Sequence, residues 1–254
     1  MDKATKELVD IVWPVEDKFG QMFYQMMNPK NLPNKIIKKG IMKKHITAPA
    51  EKNLKYKLQP TNNSGKVILY MPDTDEGLDQ ITPPLGTLAI AGYLESMGIP
   101  ILHIDQRVES ESEQMVMDQV LEGAICLGIG FGTGPQITHA INLSNKVKKQ
   151  FPNFPIIWAG WHPSLLPDQT MEEPAVDIIV RGQGEITMYE VVQRLSRGEN
   201  LEDLEGICYK SKGKTITNPD RKMVDLNLLP NMPYHLIDLK NYPGPSGRKS
   251  ALND

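Results

Sequence analysis

Residues 124–150 read AICLGIGFGTGPQITHAINLSNKVKKQ. The first seven residues are apolar or glycine at both odd and even positions. A strand with no polar alternation is covered on both faces, as in a parallel sheet under helices. A glycine-rich loop follows, and then a helical pattern over 136–150. This strand–loop–helix unit recurs along the chain. Further β-branched runs occur at 66–71 (KVILYM), 100–104 (PILHI), 155–159 (PIIWA) and 176–180 (VDIIV), with helical patterns at 86–97, 111–122 and 185–197. Gly98 reads as a helix stop. The alternation predicts an open α/β domain of five βα units, a Rossmann-like or flavodoxin-like parallel sheet with helices on both faces.

Outside that core the pattern changes. Residues 1–62 form an N-terminal extension and linker. Helical turns in TKELVDIVWPVEDKFGQMFYQMM are broken by Pro14, the Met/Phe/Tyr cluster at 22–27 reads as a face packed on the main domain, and QPTNNSG (59–65) is a linker by composition. The α/β domain is assigned to 63–200. A β-hairpin follows within 201–220, with its turn at Ser211–Gly213 in GICYKSKGKTITN. Residues 221–254, rich in Pro, Asn and Gly, read as a connection rather than a domain.

The chain has 254 residues, 40% hydrophobic and 23% charged, enough apolar content for a real core. Its net charge of −3 gives no global sign of a nucleic-acid partner. Twelve lysines and six acidic residues in 1–60 make that segment +6 and leave −9 on the remainder, so the leader reads as solvated and lysine-rich. Cys126 and Cys208 lie in apolar runs and are expected to be buried free thiols, consistent with a reducing cytoplasm. No apolar run approaches the length of a membrane span, and the N-terminus lacks a signal-peptide order. A cytoplasmic protein without a membrane partner is expected.

In open α/β sheets, ligands bind beyond the carboxyl ends of the strands, near the point where strand order reverses. Three strand-end loops bring glycine there: GIGFGTGPQ, GWHPS and RGQGE. No placement within 128–134 has the Gly-x-Gly-x-x-Gly spacing of a dinucleotide site. A phospho-acceptor receiver would need an acidic residue ending the third strand, where Gly130 and Gly132 stand, and a lysine after the fifth, where Arg181 stands. Asp73, Asp75, Glu76 and Asp79 lack an EF-hand order and read as a solvated loop. The five histidines (45, 103, 139, 162 and 235) form no i, i+4 pair, and no metal site is expected.

Taken together, residues 66–240 resemble the cobalamin-binding domain that precedes the radical S-adenosylmethionine domain in B12-dependent radical enzymes. PPLGTLAIAGYLESMGIPILHID (83–105) is similar to that family's loop, first helix and second strand. GIGFGT (128–133) resembles Gly-Ile-Ser-x-x-Thr, with Gly130 in place of serine and Thr133 matching. AGWHPS (159–164) resembles Gly-Gly-x-His-Pro-Thr, with Ala159 at the first glycine. VRGQGEIT (180–187) resembles Val-x-Gly-Glu-Gly-Glu-x-Thr, with Gln183 at the first glutamate. The cluster motif Cys-x-x-x-Cys-x-x-Cys is absent, as is the Asp-x-His-x-x-Gly signature that supplies a histidine to cobalt in other cobalamin proteins.

The resemblance implies a cofactor site on four loops. Pro83, Pro84, Leu85 and Gly86 would lie beneath the corrin ring, with the two prolines stiffening the loop. Gly128, Gly130, Phe131, Gly132, Thr133 and Gly134 would border the nucleotide tail, Thr133 bonding to it. Gly160, Trp161, His162 and Pro163 would wall its passage, His162 fixing the loop or lining the site. Gly182, Gln183, Gly184 and Glu185 would complete the site, the glycines leaving room and Glu185 contacting the ring amides, and helix starts near 135 and 185 would receive the phosphate. With no histidine in the lower loop, base-off cobalamin is expected. Replacing Gly160 and Gly184 with leucine is expected to abolish retention without unfolding the domain. The implied function is the cofactor module of a methyltransferase-like enzyme, not catalytic alone. The [4Fe-4S] cluster and S-adenosylmethionine belong to a radical domain supplied in cis or in trans. The alternatives are a stand-alone cobalamin carrier or sensor and a non-catalytic interaction module.

Overall fold

The computed structural model of the chain describes residues 65–75 and 81–242. The expectations for the N-terminal extension, including the 22–27 cluster, lie outside the described residues. Within them the chain runs β1 (Val67–Met71), α1 (Leu85–Ser96), β2 (Ile101–Asp105), α2 (Ser112–Leu121), β3 (Cys126–Gly130), α3 (Pro135–Gln150) and β4 (Ile156–Ala159). It continues through two short helices, α4 (Trp161–Leu165) and α5 (Pro167–Thr170), then β5 (Ile178–Val180), α6 (Glu185–Arg197), β6 (Ile207–Ser211) and β7 (Lys214–Thr217). The sheet order is β2-β1-β3-β4-β5-β6-β7. The first five strands are parallel, as the doubly apolar runs predict. The hairpin β6–β7 adds to the β5 edge in antiparallel fashion, so it extends the sheet rather than standing beside it.

Period-two alternation divides the core into two layers. Ile68, Tyr70, Leu127, Ile129, Ile156 and Trp158 face α2 and α3, where they meet Val116, Leu143 and Val147. Val67, Leu69, Cys126, Ile157 and Ile178 face α1 and α6, where they meet Ile90, Leu94, Met188 and Val191. Cys126 and Cys208 are free and buried. Burial alone pushes the Cys126 thiol up to about 12, and a buried neutral thiol here acts as a small hydrophobe.

Three local readings differ from the structure. The stretch after β4, whose GWHPS reads as a strand-end loop, contains α4 and α5. Its prolines fall in first turns, where the missing N–H is not needed, so they favour helix starts rather than break them. The hairpin turn is Lys212–Gly213, both at positive φ (49° and 74°), and Ser211 belongs to the strand. Residues 221–242 of the segment read as a bare connection dock on the domain in three short 3₁₀ turns at Leu226–Leu228, Tyr234–Leu236 and Leu239–Asn241. They cross the outer face of α1. A Cβ on Gly92 would stand 3.1 Å from the Asn231 carbonyl and from Pro233, and His235 bonds Glu95 at 3.0 Å. Helix α1 is therefore apolar on two sides because it is covered on two sides.

Candidate functional site

The order β2-β1-β3 places the reversal between β1 and β3, where a ligand site is expected. On the face toward α1 and α6, parallel register aligns small residues near the strand ends. Gly128 pairs with Ile157 and Gly130 with Ala159. Beneath them lies a narrow slot of about 10 Å³ lined by Leu69, Thr87, Ile90, Ile157 and Met188 as well as the three small residues. A Cβ on Gly128 would come within 2.7 Å of the Met188 Cε, and one on Gly130 within 2.6 Å of the Thr87 methyl. The space given up by the glycines is taken by side chains of α1 and α6.

Gly160 has a different reason to be glycine. Its φ is +106°, and a Cβ would stand 2.2 Å from the Phe131 carbonyl oxygen. β3 and β4 stay paired past their ends: Phe131 N–H donates to the Ala159 carbonyl at 3.1 Å, and Trp161 N–H donates to the Phe131 carbonyl at 3.2 Å. Backbone meets backbone at Gly160, so leucine there breaks the fold itself. The expectation that Gly160→Leu spares the fold is corrected. Gly184 is less confined, with a Cβ 3.3 Å from the flexible end of Ile90. Gly182, at φ +71°, has nothing within 4 Å, as does Gly86. Gly134 caps α3 at φ +117°, and Gly132 donates its N–H to the Gln136 side chain at 2.9 Å.

The remaining predicted residues separate into a buried and an exposed set. Phe131 is a core residue, edge-on to Trp158 at 4.9 Å and stacked at 6.4 Å on His162. Pro84 and Pro163 are buried, while Pro83 and Thr133 are half-buried. Pro84 precedes α1, and its carbonyl accepts the Leu88 N–H at 3.0 Å. Leu85 and Trp161 are exposed, Trp161 at 73%. Trp161 therefore stands free at the strand edge. Burial lowers the pKa of His162 and so favours its neutral ring.

Ser164 joins two of the loops. Its hydroxyl donates to the Gly160 carbonyl at 2.6 Å and accepts the Gly182 N–H at 3.0 Å. Around this clamp, polar groups lack partners. Among the described residues six buried side-chain polar atoms have none, and four lie within a few residues of the ends of β4 and β5: His162 Nδ1, Arg181 Nε, Gln183 Nε2 and Glu185 Oε2. Folded proteins rarely leave such groups unsatisfied, and their concentration at one edge is a binding signal. The oxygen of Gln183 is already used, accepting the Val224 N–H of the docked tail at 2.8 Å.

Sequence reading missed a second cluster at the end of β2. Asp105 is fully buried and accepts from Arg107 Nε at 2.9 Å, Arg107 Nη2 at 2.7 Å and Tyr242 Oη at 3.0 Å. Arg107 also donates to the Thr82 carbonyl at 3.0 Å, anchoring the loop before α1. The only signal was an acidic residue ending an apolar strand with arginine two places on.

Part of the chain is similar to a known family. Residues 77–192 match the family model of the B12 binding domain. An uncharacterized methyltransferase of Pyrococcus horikoshii is 27% identical over 188 residues, covering 70% of this chain and 40% of that protein. An anaerobic magnesium-protoporphyrin IX monomethyl ester cyclase of Synechocystis is 27% identical over 174 residues, covering 67% and 35%. The chain thus spans two fifths or less of these relatives. The cobalamin-dependent S-adenosylmethionine radical enzyme OxsB, with aqua-cobalamin and S-adenosylmethionine bound, shares the fold at TM-score 0.55, with 19% identity over 63% of this chain and 23% of that one. The radical S-adenosylmethionine methyltransferase TsrM of Kitasatospora setae does so at TM-score 0.53, with 16% identity over 61% and 30%.

The residues present fit the cofactor that this similarity implies, cobalamin, more readily at the edge than in the slot. The edge offers an exposed aromatic, open glycines and the four unpartnered polar atoms. The slot is bounded by glycines and alanine on the sheet side and by the flexible Met188 on the helix side, a side chain suited to repacking. Among the described residues no helix is long and apolar enough to cross a membrane.

Proposed function

We propose that residues 63–200 hold cobalamin base-off, with the corrin ring across the carboxyl ends of the strands and the nucleotide tail directed into the slot between β3 and α1/α6. The observation that carries this reading is the in-register row Gly128, Gly130 and Ala159 on one face of a domain similar to the B12 binding domain, beside the four unpartnered polar atoms. His162, Gln183 and Glu185 supply hydrogen bonds to ring amides, and Gly86 and Gly182 leave room at the surface. Thr133 and backbone N–H groups at the starts of α3 and α6 serve the tail and its phosphate. Met188 yields as the tail enters. Residues 72–84 contain no histidine, so that loop offers cobalt no imidazole.

Bound cobalamin supplies a cobalt centre able to carry a methyl group. This chain's residues bind and orient it, and the domain serves a methyltransferase-like enzyme. The radical S-adenosylmethionine domain, with its [4Fe-4S] cluster, acts in cis or in trans. The test is direct: the purified chain is mixed with hydroxocobalamin, desalted and examined in the visible range. A stoichiometric base-off spectrum is expected, and a colourless protein overturns the proposal.

A further inference from the structure

Among the described residues Thr87 is the only polar side chain lining the slot. It is 3% exposed and comes from α1, not from the strands. Its hydroxyl is fixed twice. It donates to the Pro84 carbonyl at 3.1 Å and lies 2.8 Å from His103 Nε2. A hydroxyl has one proton, so with that proton on Pro84 the His103 ring must donate from Nε2. His103 is itself 7% exposed, and its Nδ1 has no partner, which this tautomer leaves as a bare lone pair rather than an unpaired N–H. One lone pair of Thr87 Oγ1 remains unused.

The position facing Thr87 is Gly130. A Cβ there would stand 2.6 Å from the Thr87 methyl, and the next contact, Thr87 Cβ, is at 3.9 Å. Thr87 thus occupies the volume that a side chain at 130 would need. A hydroxyl at 130 and a threonine at 87 exclude each other, and this chain carries the threonine.

We propose that Thr87 is the specificity-determining contact to the nucleotide end of cobalamin, accepting a hydrogen bond from a ribose hydroxyl or another donor of the buried tail, with His103 as its positioning residue. The proposal rests on the cobalamin reading above. It assigns the polar wall of the slot to α1 instead of β3. It also explains a histidine buried in an apolar layer: the imidazole donates one N–H that holds the threonine rotamer.

The experiment compares hydroxocobalamin with cobinamide, which keeps the corrin and lacks the nucleotide. Both are titrated against the purified full chain by tryptophan quenching, with thermal melts recorded for every variant. Thr87→Val keeps the shape and removes the hydroxyl. It is expected to weaken cobalamin about tenfold, the scale of one buried hydrogen bond, and to leave cobinamide unchanged. Thr87→Ser retains wild-type selectivity. His103→Leu lowers cobalamin selectivity by a similar factor, and the double variant Thr87→Val/His103→Leu falls no further, since the two act as one unit. Thr87→Ala/Gly130→Ser, which removes the methyl and restores a hydroxyl from the strand, regains most of the selectivity. Equal loss for cobalamin and cobinamide, or no loss for either, overturns the assignment. A wild-type chain that binds neither overturns the cobalamin reading and this inference with it, whereas a wild type that binds both ligands equally overturns this inference alone.

Discussion

Gly160 and Gly182 end neighbouring strands, both have positive φ, and Ser164 bridges them, yet they are glycines for opposite reasons. A Cβ on Gly160 would strike the Phe131 carbonyl at 2.2 Å, while one on Gly182 meets nothing within 4 Å. The first serves the fold, because β3 and β4 stay paired through that point. The second leaves the surface open. A glycine at a strand end therefore does not by itself mark a ligand's path; the distance to the opposing backbone separates the two cases.

The pair is most directly tested by alanine. Gly160→Ala is expected to cost more than about 4 kcal/mol, the range reserved for overlap and strain at a special backbone position, and urea denaturation will show whether a folded population survives. Gly182→Ala adds only the left-handed penalty of about 1–2 kcal/mol. It should still fold and should bind hydroxocobalamin more weakly. Equal stabilities for the two variants would erase the distinction.

A smaller effect concerns the layer beneath. Burial, opposed by Asp105 and reinforced by Arg107, lowers His103 to about 4 in the folded chain, against an ordinary 6.5. The folded state prefers the neutral ring, so its contribution is complete above pH 6.5 and is lost as pH falls toward 4. The expected slope is at most about 1.4 kcal/mol per pH unit across that window. Denaturation midpoints at several pH values should show it in the wild type and a shallower dependence in His103→Leu.

The smallest effect on stability belongs to the exposed edge. Trp161→Ala should change stability by less than about 0.5 kcal/mol, as for other exposed positions, while reducing hydroxocobalamin retention. Unchanged retention would remove Trp161 from the site.

Much of the fold was legible because it is written locally. The apolar runs of β1 to β5 and the stop signal at Gly98 depend on neighbours a few residues away, and Gly98 takes the positive φ its position requires. The short helices α4 and α5 were not legible, since prolines at first-turn positions look like breakers until the chain's direction is known. The tail's docking was hidden because its contacts, Tyr242 to Asp105 and Val224 to Gln183, span 137 and 41 residues.

The sequence by itself determined the order of strands and helices, their two-sided burial, the loops that reach the carboxyl edge and the family resemblance those loops carry. Periodicity and turn chemistry act over short distances and survive in one dimension. The tertiary structure decided which glycine the backbone needs and which lies open, how Gly128, Gly130 and Ala159 align into one slot, and that Thr87 and His103 meet beneath it. Those outcomes depend on register and on sub-ångström clearances between segments that only folding brings together.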